Sequence, residues 1–489
     1  MENNIQNLSS EIDIRKEKIK ALKNDGVVVF KEKFERTSTI FEARELAEGS
    51  KTKICGRIVF RRIMGKFGFM QIRDVNAKIQ VSVGVNELSE QSYDFYKKMI
   101  DIGDFVGICG EVYKTQTGEV TVRAESVELL SKALRPLPEK FHGLTDVEAI
   151  YRQRYLDLIT NEESRKVFIG RSRVMAFTRS FLGENGFMEV ETPILQTAVC
   201  GASAKPFLTK HNALDKMCNL RIAPETYLKQ VIAGGFDRVF ELGKVFRNEG
   251  MDPQHLQEFT MCEWYASYWN FEDNVKFFQN FMRGLLTNVV GDTKIEYQGT
   301  LLDFGAGWEK VDYVKSMREV LGFDFLEFDD AKALIERIAE TKLFSVSDFA
   351  GIKTLGGVVD FVYKRKIRTR LVQPTVLFNY PAFLIPLARR NDSDARIIDV
   401  FQVVVMGSEI CKAYSELVDP ITQRITLEEQ AKAKKDGDDE AMELDEDFVL
   451  AMEHGMPPIS GLGFGLDRLM VILFNQPSVR DVVLFPLMK

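Results

Sequence analysis

The chain has 489 residues, 45% of them hydrophobic and 28% charged. That is the composition of an ordinary globular protein of roughly two to four domains, and it excludes wholesale disorder. A net charge of −7 excludes a globally basic nucleic-acid binder but leaves room for a local basic patch. Six cysteines without a C-x-x-C pair and four histidines without ligand spacing argue against a disulfide framework, structural zinc or histidine-based metal chemistry. The apolar run Leu469–Phe474 falls far short of the ~18 residues of a membrane span. The uncharged stretch Leu371–Ala388 is interrupted by Gln373, Thr375, Asn379 and three prolines. The N-terminus lacks the apolar core of a signal peptide, and the cysteine usage makes a reducing cytoplasm, without a membrane partner, the expected setting.

In chain order, residues 9–24 predict a helix. Ser9 or Ser10 caps it, Glu11 and Asp13 sit in its first turn, and lysines crowd its end. Ile12, Ile14, Ile19 and Leu22 give it a partial apolar stripe. Its basic face (Arg15, Lys16, Lys18, Lys20, Lys23) reads first as solvated surface and second as a nucleic-acid backbone contact. Residues 1–48 form an N-terminal helical extension on this reading. Residues 49–132 then change character: five β-rich runs alternate with turns, with a helical stretch over 86–100 after the third. This is the layout of an OB barrel. Arg61–Lys66 and Thr115–Gly118 are expected to join its hairpins. Phe67, Phe69 and Gln80, beside basic loops, could belong to a face on which single-stranded bases stack; on periodicity alone Phe69 reads as core. Residues 133–150, with two prolines two apart, read as a linker. The remaining block, 151–489, mixes amphipathic helices (164–185) with apolar strands near 239–242, 261–265 and 398–406. It predicts one α+β domain on a largely antiparallel sheet. The charged segment 426–448 is expected to be an exposed helix and loop.

Three segments of that block carry chemistry. Gly186–Gln196 (GFMEVETPILQ) reads as a helix end followed by a strand running into Pro193. Val239–Glu249 and Glu258–Tyr265 read as two strands joined by a loop bearing Arg247, Glu249 and His255. An arginine beside a histidine in a hairpin mouth can hold phosphate oxygens bidentately, and Phe259 could stack on a purine. In Ser460–Leu469 (SGLGFGLDRL) glycines alternate at 461, 463 and 465, so one strand face carries no side chains and a ligand can lie against the backbone. Close strand–helix packing is the plainer account of the same glycines. The spacing is neither the dinucleotide fingerprint nor a Walker loop.

Taken in order, these segments resemble motifs 1, 2 and 3 of class II aminoacyl-tRNA synthetases, and specifically lysyl-tRNA synthetases. The resemblance runs from about residue 50 to the C-terminus through TQTGE, LRPLPEKFHGL, YRQRYLDLI, RIAPETYLK, FRNEG and RDVVLFPL. It implies an N-terminal OB anticodon-binding domain, a class II catalytic domain over 151–489, and a homodimer through motif 1. The implied reaction joins lysine to ATP as lysyl-adenylate and then transfers lysine to tRNA(Lys). By resemblance, Arg247 bridges the lysine carboxylate and the α-phosphate, and Phe259 and Arg468 sandwich the adenine. Arg468 also reaches the γ-phosphate, His255 approaches the β/γ end, and Glu249 lies near the adenine amino group. Glu225 and Glu263 match contacts to the α-ammonium, Tyr265 and Glu416 match contacts to the ε-ammonium, and Gly463 lines the amino-acid pocket. Glu409 matches a Mg²⁺ ligand. Phe69, Gln80 and Glu119 match anticodon contacts, which turns Phe69 from core to stacking face.

Several positions depart from the family pattern. Gln402 stands where a second metal-binding glutamate is usual, so fewer or weaker metal sites are expected, the amide oxygen remaining a possible ligand. Lys412, Val418 and Leu256 each replace an asparagine, Ile459 a threonine and Phe383 a glutamate. Lys412 either points away from the pocket, pairs with a carboxylate, or signals a substrate other than lysine. Rival readings are a synthetase for aspartate or asparagine, opposed by the acidic set Glu225, Glu263 and Glu416, and a non-catalytic tRNA-binding relative, opposed by Arg247, Glu409 and Arg468. A relative that attaches lysine to a protein is opposed by the OB domain.

Overall fold

Five short β-rich runs close into a barrel because each alternates inward aliphatics with outward polar residues. The strands are β1 (Lys51–Met64), β2 (Phe67–Arg73), β3 (Lys78–Gly84), β4 (Phe105–Lys114) and β5 (Val120–Ser131), in the order β1-β2-β3-β5-β4. A helix, Glu90–Met99, follows the third strand, as expected of an OB fold. Ile54, Ile58, Met70, Ile72, Val81, Val106 and Ile108 point into the barrel and are fully buried. The expected loop Arg61–Lys66 is much shorter: Arg61 to Met64 continue β1, paired with β2, and only Gly65 and Lys66 turn, with Gly65 at φ +63°. The computed structural model describes residues 2–138, 146–385, 387–435 and 441–488.

The N-terminal helix α1 spans Glu2–Asn24 rather than starting near Ser9; neither glycine nor proline ahead of Ser9 stops it. Its basic face is not uniformly solvated. Arg15 is buried and donates from Nη1 to the carbonyls of Ile102 and Ala133, at 3.2 and 3.1 Å, while Lys18 pairs with Asp101 at 2.7 Å.

Chain contacts separate this unit (residues 1–146 with 155–160) from a second, residues 147–154 with 161–489. Of the expected linker 133–150, residues 139–145 lie outside the described residues, and Val147–Arg152 is already helical.

The second unit is built on an eight-stranded sheet. In chain order its strands are β6 (Met188–Glu189), β7 (Arg238–Phe246), β8 (Glu258–Ser267), β9 (Glu309–Asp312), β10 (Thr375–Pro381), β11 (Ile397–Val405), β12 (Ser408–Ser415) and β13 (Ile459–Gly465). They lie in the order β9-β10-β11-β12-β13-β8-β7-β6, antiparallel except for the two edge pairs. The motif 1 segment gives this sheet the two residues of β6 and gives a separate small sheet Leu195–Gln196, so the strand expected to run into Pro193 is mostly irregular chain. Helices α2 (Glu162–Glu184) and α3 (Phe271–Leu285) pack one face of the sheet. There Trp264 stands among Phe187, Phe277, Phe281 and Phe464 at centroid distances of 5.5–6.4 Å. The opposite face carries the site.

The segment 426–448 is not simply exposed. Leu427, Met442 and Phe448 are buried with Cys200 and Leu387 in a small core of their own; residues 436–440 lie outside the described residues. All six cysteines are free thiols. Among the described residues no helix is long and apolar enough to cross a membrane.

Candidate active site

Strand β8 alternates. Trp264 turns to the aromatic core, so Glu263 and Tyr265 turn the other way, into a cleft of about 490 Å³. Across the sheet, Glu263 is in register with Gly463 of β13, and Gly463 with Lys412 of β12. The glycines of β13 explain how the cleft forms. A Cβ on Gly461 would collide with the Tyr265 ring and come within 2.6 Å of Glu416 Oε1, and one on Gly463 would lie 3.3 Å from Glu263 Cγ. At Gly461 the missing side chain thus makes room for side chains of the cleft, not for a packed helix.

Helix α4 (Glu225–Ala233) brings Glu225 to the cleft in its first turn. Glu225, Glu263, Tyr265 and Glu416 are each at most 5% exposed. A buried carboxylate without enough compensation holds its proton more tightly. Burial pushes Glu263 from 4.5 up to about 8, with the Glu225 charge adding to the effect and the Tyr265 hydroxyl, 3.1 Å from Oε2, opposing it. Burial also raises Glu416, against the pull of a neighbouring cation.

That cation is Lys229, which sequence reasoning passed over inside RIAPETYLK. Its Nζ lies 2.7 Å from Glu225 Oε1 and 2.5 Å from Glu416 Oε2. Burial alone would pull Lys229 down, but the two carboxylates outweigh it and hold it above its ordinary value. The Tyr414 hydroxyl completes the group, donating to Glu225 at 2.8 Å. The signal that could have found Lys229 is its i,i+4 spacing from Glu225 on a helix whose neighbouring positions, Leu228 and Ile232, are core.

At the other end, Arg247 follows β7. Its Nε donates to the carbonyl of Ile222 at 3.3 Å, and its guanidinium lies 5.3 Å from the Phe259 ring centroid. Burial lowers its pKa, with Glu249 and Glu263 opposing. Arg468 lies in the first turn of helix α5 (Leu466–Leu473), one residue after the buried Asp467. Asp467 takes the backbone N–H of Thr260 at 2.9 Å and pairs with Arg171, locking the end of β13 onto β8. Arg468 Nη2 lies 2.6 Å from His255 Nε2, and His255 Nδ1 meets Asp252 at 2.8 Å. Glu249 and His255 are exposed on the cleft rim, and Phe259 is half-buried. All eleven residues expected of the catalytic site therefore line one cleft.

Glu409 and Gln402 meet at a second cavity of about 890 Å³, which adjoins the first. The Tyr380 hydroxyl donates to Gln402 Oε1, and Gln402 Nε2 donates to Glu409 Oε2 at 2.8 Å. In this arrangement the Gln402 oxygen is engaged and its amino group faces Glu409, so the amide offers no oxygen beside that carboxylate. Among the described residues no three His, Cys, Asp or Glu side chains converge as a metal cage. One carboxylate can share an ion held mainly by ATP phosphates. The donors here do not fit a second protein-held ion.

Lys412 does not pair with Glu416; it lines both cavities beside Glu409. Leu256 is buried on the cleft wall. Ile459 and Val418 pack with Leu228, Ile232, Val239 and Tyr265, so these two departures serve packing. Phe383 is exposed. In the barrel, Phe69 and Gln80 both lie half-exposed on the outer face, where Gln80 Nε2 donates to Thr121 Oγ1 at 3.1 Å; Glu119 is exposed at the β4–β5 turn. The core positions of β2 are Met70 and Ile72 instead.

Residues 146–489 match the family described as tRNA synthetases class II (D, K and N), and residues 52–130 match an OB-fold nucleic acid binding domain. The lysine–tRNA ligase of Pectobacterium carotovorum subsp. carotovorum (strain PC1) is 44% identical over 504 residues, covering 99% of this chain and 97% of its own. That of Lysinibacillus sphaericus (strain C3-41) is 41% identical over 496 residues, covering 99% and 98%. That of Bacillus subtilis (strain 168) is 40% identical over 498 residues, covering 100% and 99%.

Proposed function

The chain belongs to the class II lysyl-tRNA synthetases, and we propose that the cleft walled by Glu225, Glu263 and Glu416 is where it joins lysine to ATP before passing it to tRNA(Lys). One observation carries this reading: three buried carboxylates share the pocket with one buried ammonium, Lys229. Fully ionised, that set leaves a deficit of two positive charges, which the two ammonium groups of lysine fill. An aspartate or asparagine side chain would leave the deficit at its far end unfilled.

In this reading Glu225 and Glu263 hold the α-ammonium, and Glu416 with Tyr265 holds the ε-ammonium. Gly463 gives the substrate a flat floor. Arg247 holds the lysine carboxylate against the α-phosphate, and Phe259 and Arg468 enclose the adenine with Glu249 near its amino group. His255 and Arg468 take the outer phosphates. A carboxylate oxygen of lysine attacks the α-phosphorus, and the bond to pyrophosphate breaks. The tRNA terminal ribose hydroxyl then attacks the lysyl carbonyl and AMP leaves. No enzyme nucleophile is required; the chain's work is positioning and charge neutralisation. Glu409 would hold a Mg²⁺ ion accompanying ATP, which would supply neutralisation of phosphate charge.

Phe69 stacks on an anticodon base, with Gln80 and Glu119 hydrogen-bonding beside it. A cytoplasmic homodimer joined through 186–196 completes the reading. The test is ATP–pyrophosphate exchange across a panel of the standard amino acids. Lysine should drive it, and exchange driven by a different amino acid instead would overturn the reading.

A further inference from the structure

Lys412 is the cross-strand partner of Gln402 on one side and of Gly463 on the other. Directly opposed residues of neighbouring strands project from the same face, so Lys412 and Gln402 share the floor where the two cavities meet. Glu409, Lys412 and Arg468 line both cavities. Among the described residues the one hydrogen-bonding neighbour of the Glu409 carboxylate is the neutral amide of Gln402, and no carboxylate forms an ion pair with Lys412. Of the cleft carboxylates, Glu225 and Glu416 hold Lys229 instead. A half-buried ammonium without a counter-ion in a cleft is a site for an anion.

We propose that Lys412 is a fixed cation for the outer phosphates of ATP, supplying from the protein the positive charge that the Gln402–Glu409 pair does not recruit as a second metal ion. The proposal rests on the synthetase reading of the same cleft. It also resolves the position of a cation in a lysine enzyme. Two of the three ammonium-binding carboxylates, Glu225 and Glu416, are gathered on Lys229, whereas Lys412 lines both cavities together with Arg468 and Glu409, where the ligand is anionic. Because the charge is built in, nucleotide binding should depend less on free Mg²⁺ than a cleft of metal-held phosphates would require.

The test is calorimetric binding of α,β-methylene-ATP to the full chain in excess EDTA and in Mg²⁺, with lysine binding measured alongside. Wild type should bind the nucleotide in EDTA. Lys412→Asn should lose about tenfold or more in EDTA, and less in Mg²⁺, because the metal then neutralises part of the same charge. Lys412→Arg should restore binding in EDTA, which a purely structural role for the side chain would not predict. Lysine affinity should stay unchanged in Lys412→Asn. Equal nucleotide affinity of wild type and Lys412→Asn in EDTA, with both proteins folded by thermal unfolding, would overturn the proposal. So would a large change in lysine affinity, which would place the ammonium at the amino-acid end. Failure of the synthetase reading would appear separately, in the amino-acid panel.

Discussion

The Nζ of Lys229 lies 2.5 Å from Oε2 of Glu416, so the carboxylate assigned to the substrate's ε-ammonium already holds a cation of the protein. The same Nζ reaches Glu225, assigned to the α-ammonium, and one buried side chain thereby ties helix α4 to the end of β12. The two ends of the amino-acid pocket are set by a single pair of contacts.

Removing that tie should be costly. Lys229→Met strands two buried carboxylates, and breaking a buried pair in this way costs about 3–5 kcal/mol. Denaturant unfolding should show a loss in that range, together with a raised lysine KM. A variant as stable as wild type would mean that the two glutamates are neutral without Lys229.

Glu416→Gln keeps size and hydrogen-bonding capacity but removes the charge. Lysine binding should weaken by about 2–5 kcal/mol, with ATP binding little changed. Because Lys412 is not the partner of Glu416, adding Lys412→Asn should neither rescue nor deepen the lysine defect beyond about 0.5 kcal/mol. Lysine KM in exchange assays of the four combinations reads this directly, and an unaltered KM in Glu416→Gln removes that residue from side-chain recognition.

Arg247→Ala should abolish adenylate formation in a folded protein. The guanidinium is fixed by the Ile222 carbonyl and the Phe259 ring, while the other guanidinium lining the cleft, Arg468, is engaged with His255. Exchange at the wild-type rate would refute the assignment.

Phe69→Ala should weaken tRNA charging by about 1–3 kcal/mol and spare pyrophosphate exchange, because the ring faces outward and stacking on one base is worth that much. An equal loss in both assays would return Phe69 to a structural role.

The barrel was legible because its five runs and turns are local signals, and even the helix after the third strand shows in the sequence. The cleft was legible through its motifs, whose residues converge on one wall. What escaped depends on partners distant in sequence. Arg15 looks like surface until its guanidinium meets carbonyls 87 and 118 positions away. Gln402 looks like a weak metal ligand until Tyr380, 22 positions back, takes its oxygen. Lys229 hides because a lone lysine in a helix usually reaches water. The segment 426–448 misleads because dense charge conceals Leu427 and Phe448.

The raised pKa of Glu263 fixes a pH dependence. Its folded value, about 8, exceeds its ordinary 4.5, so the ligand-free fold binds a proton that the unfolded chain has released. Stability from this group is present below about pH 4.5 and is lost as pH rises through 8. The substrate ammonium favours the ionised form, so lysine binding should tighten across the same window and release a proton. At pH 7 the apparent binding enthalpy should vary with the ionisation enthalpy of the buffer. A buffer-independent enthalpy would show Glu263 already ionised.

All three tryptophans, 264, 269 and 308, belong to the sheet unit, and the barrel has none. The chain is therefore optically lopsided. Indole emission follows melting of the synthetic half while remaining blind to the barrel, whereas far-ultraviolet dichroism registers both. Comparing the two traces during denaturation separates the midpoints of the halves without labels or truncation. Since Trp264 sits between Glu263 and Tyr265 in the strand, the same emission should respond when lysine fills the pocket behind it.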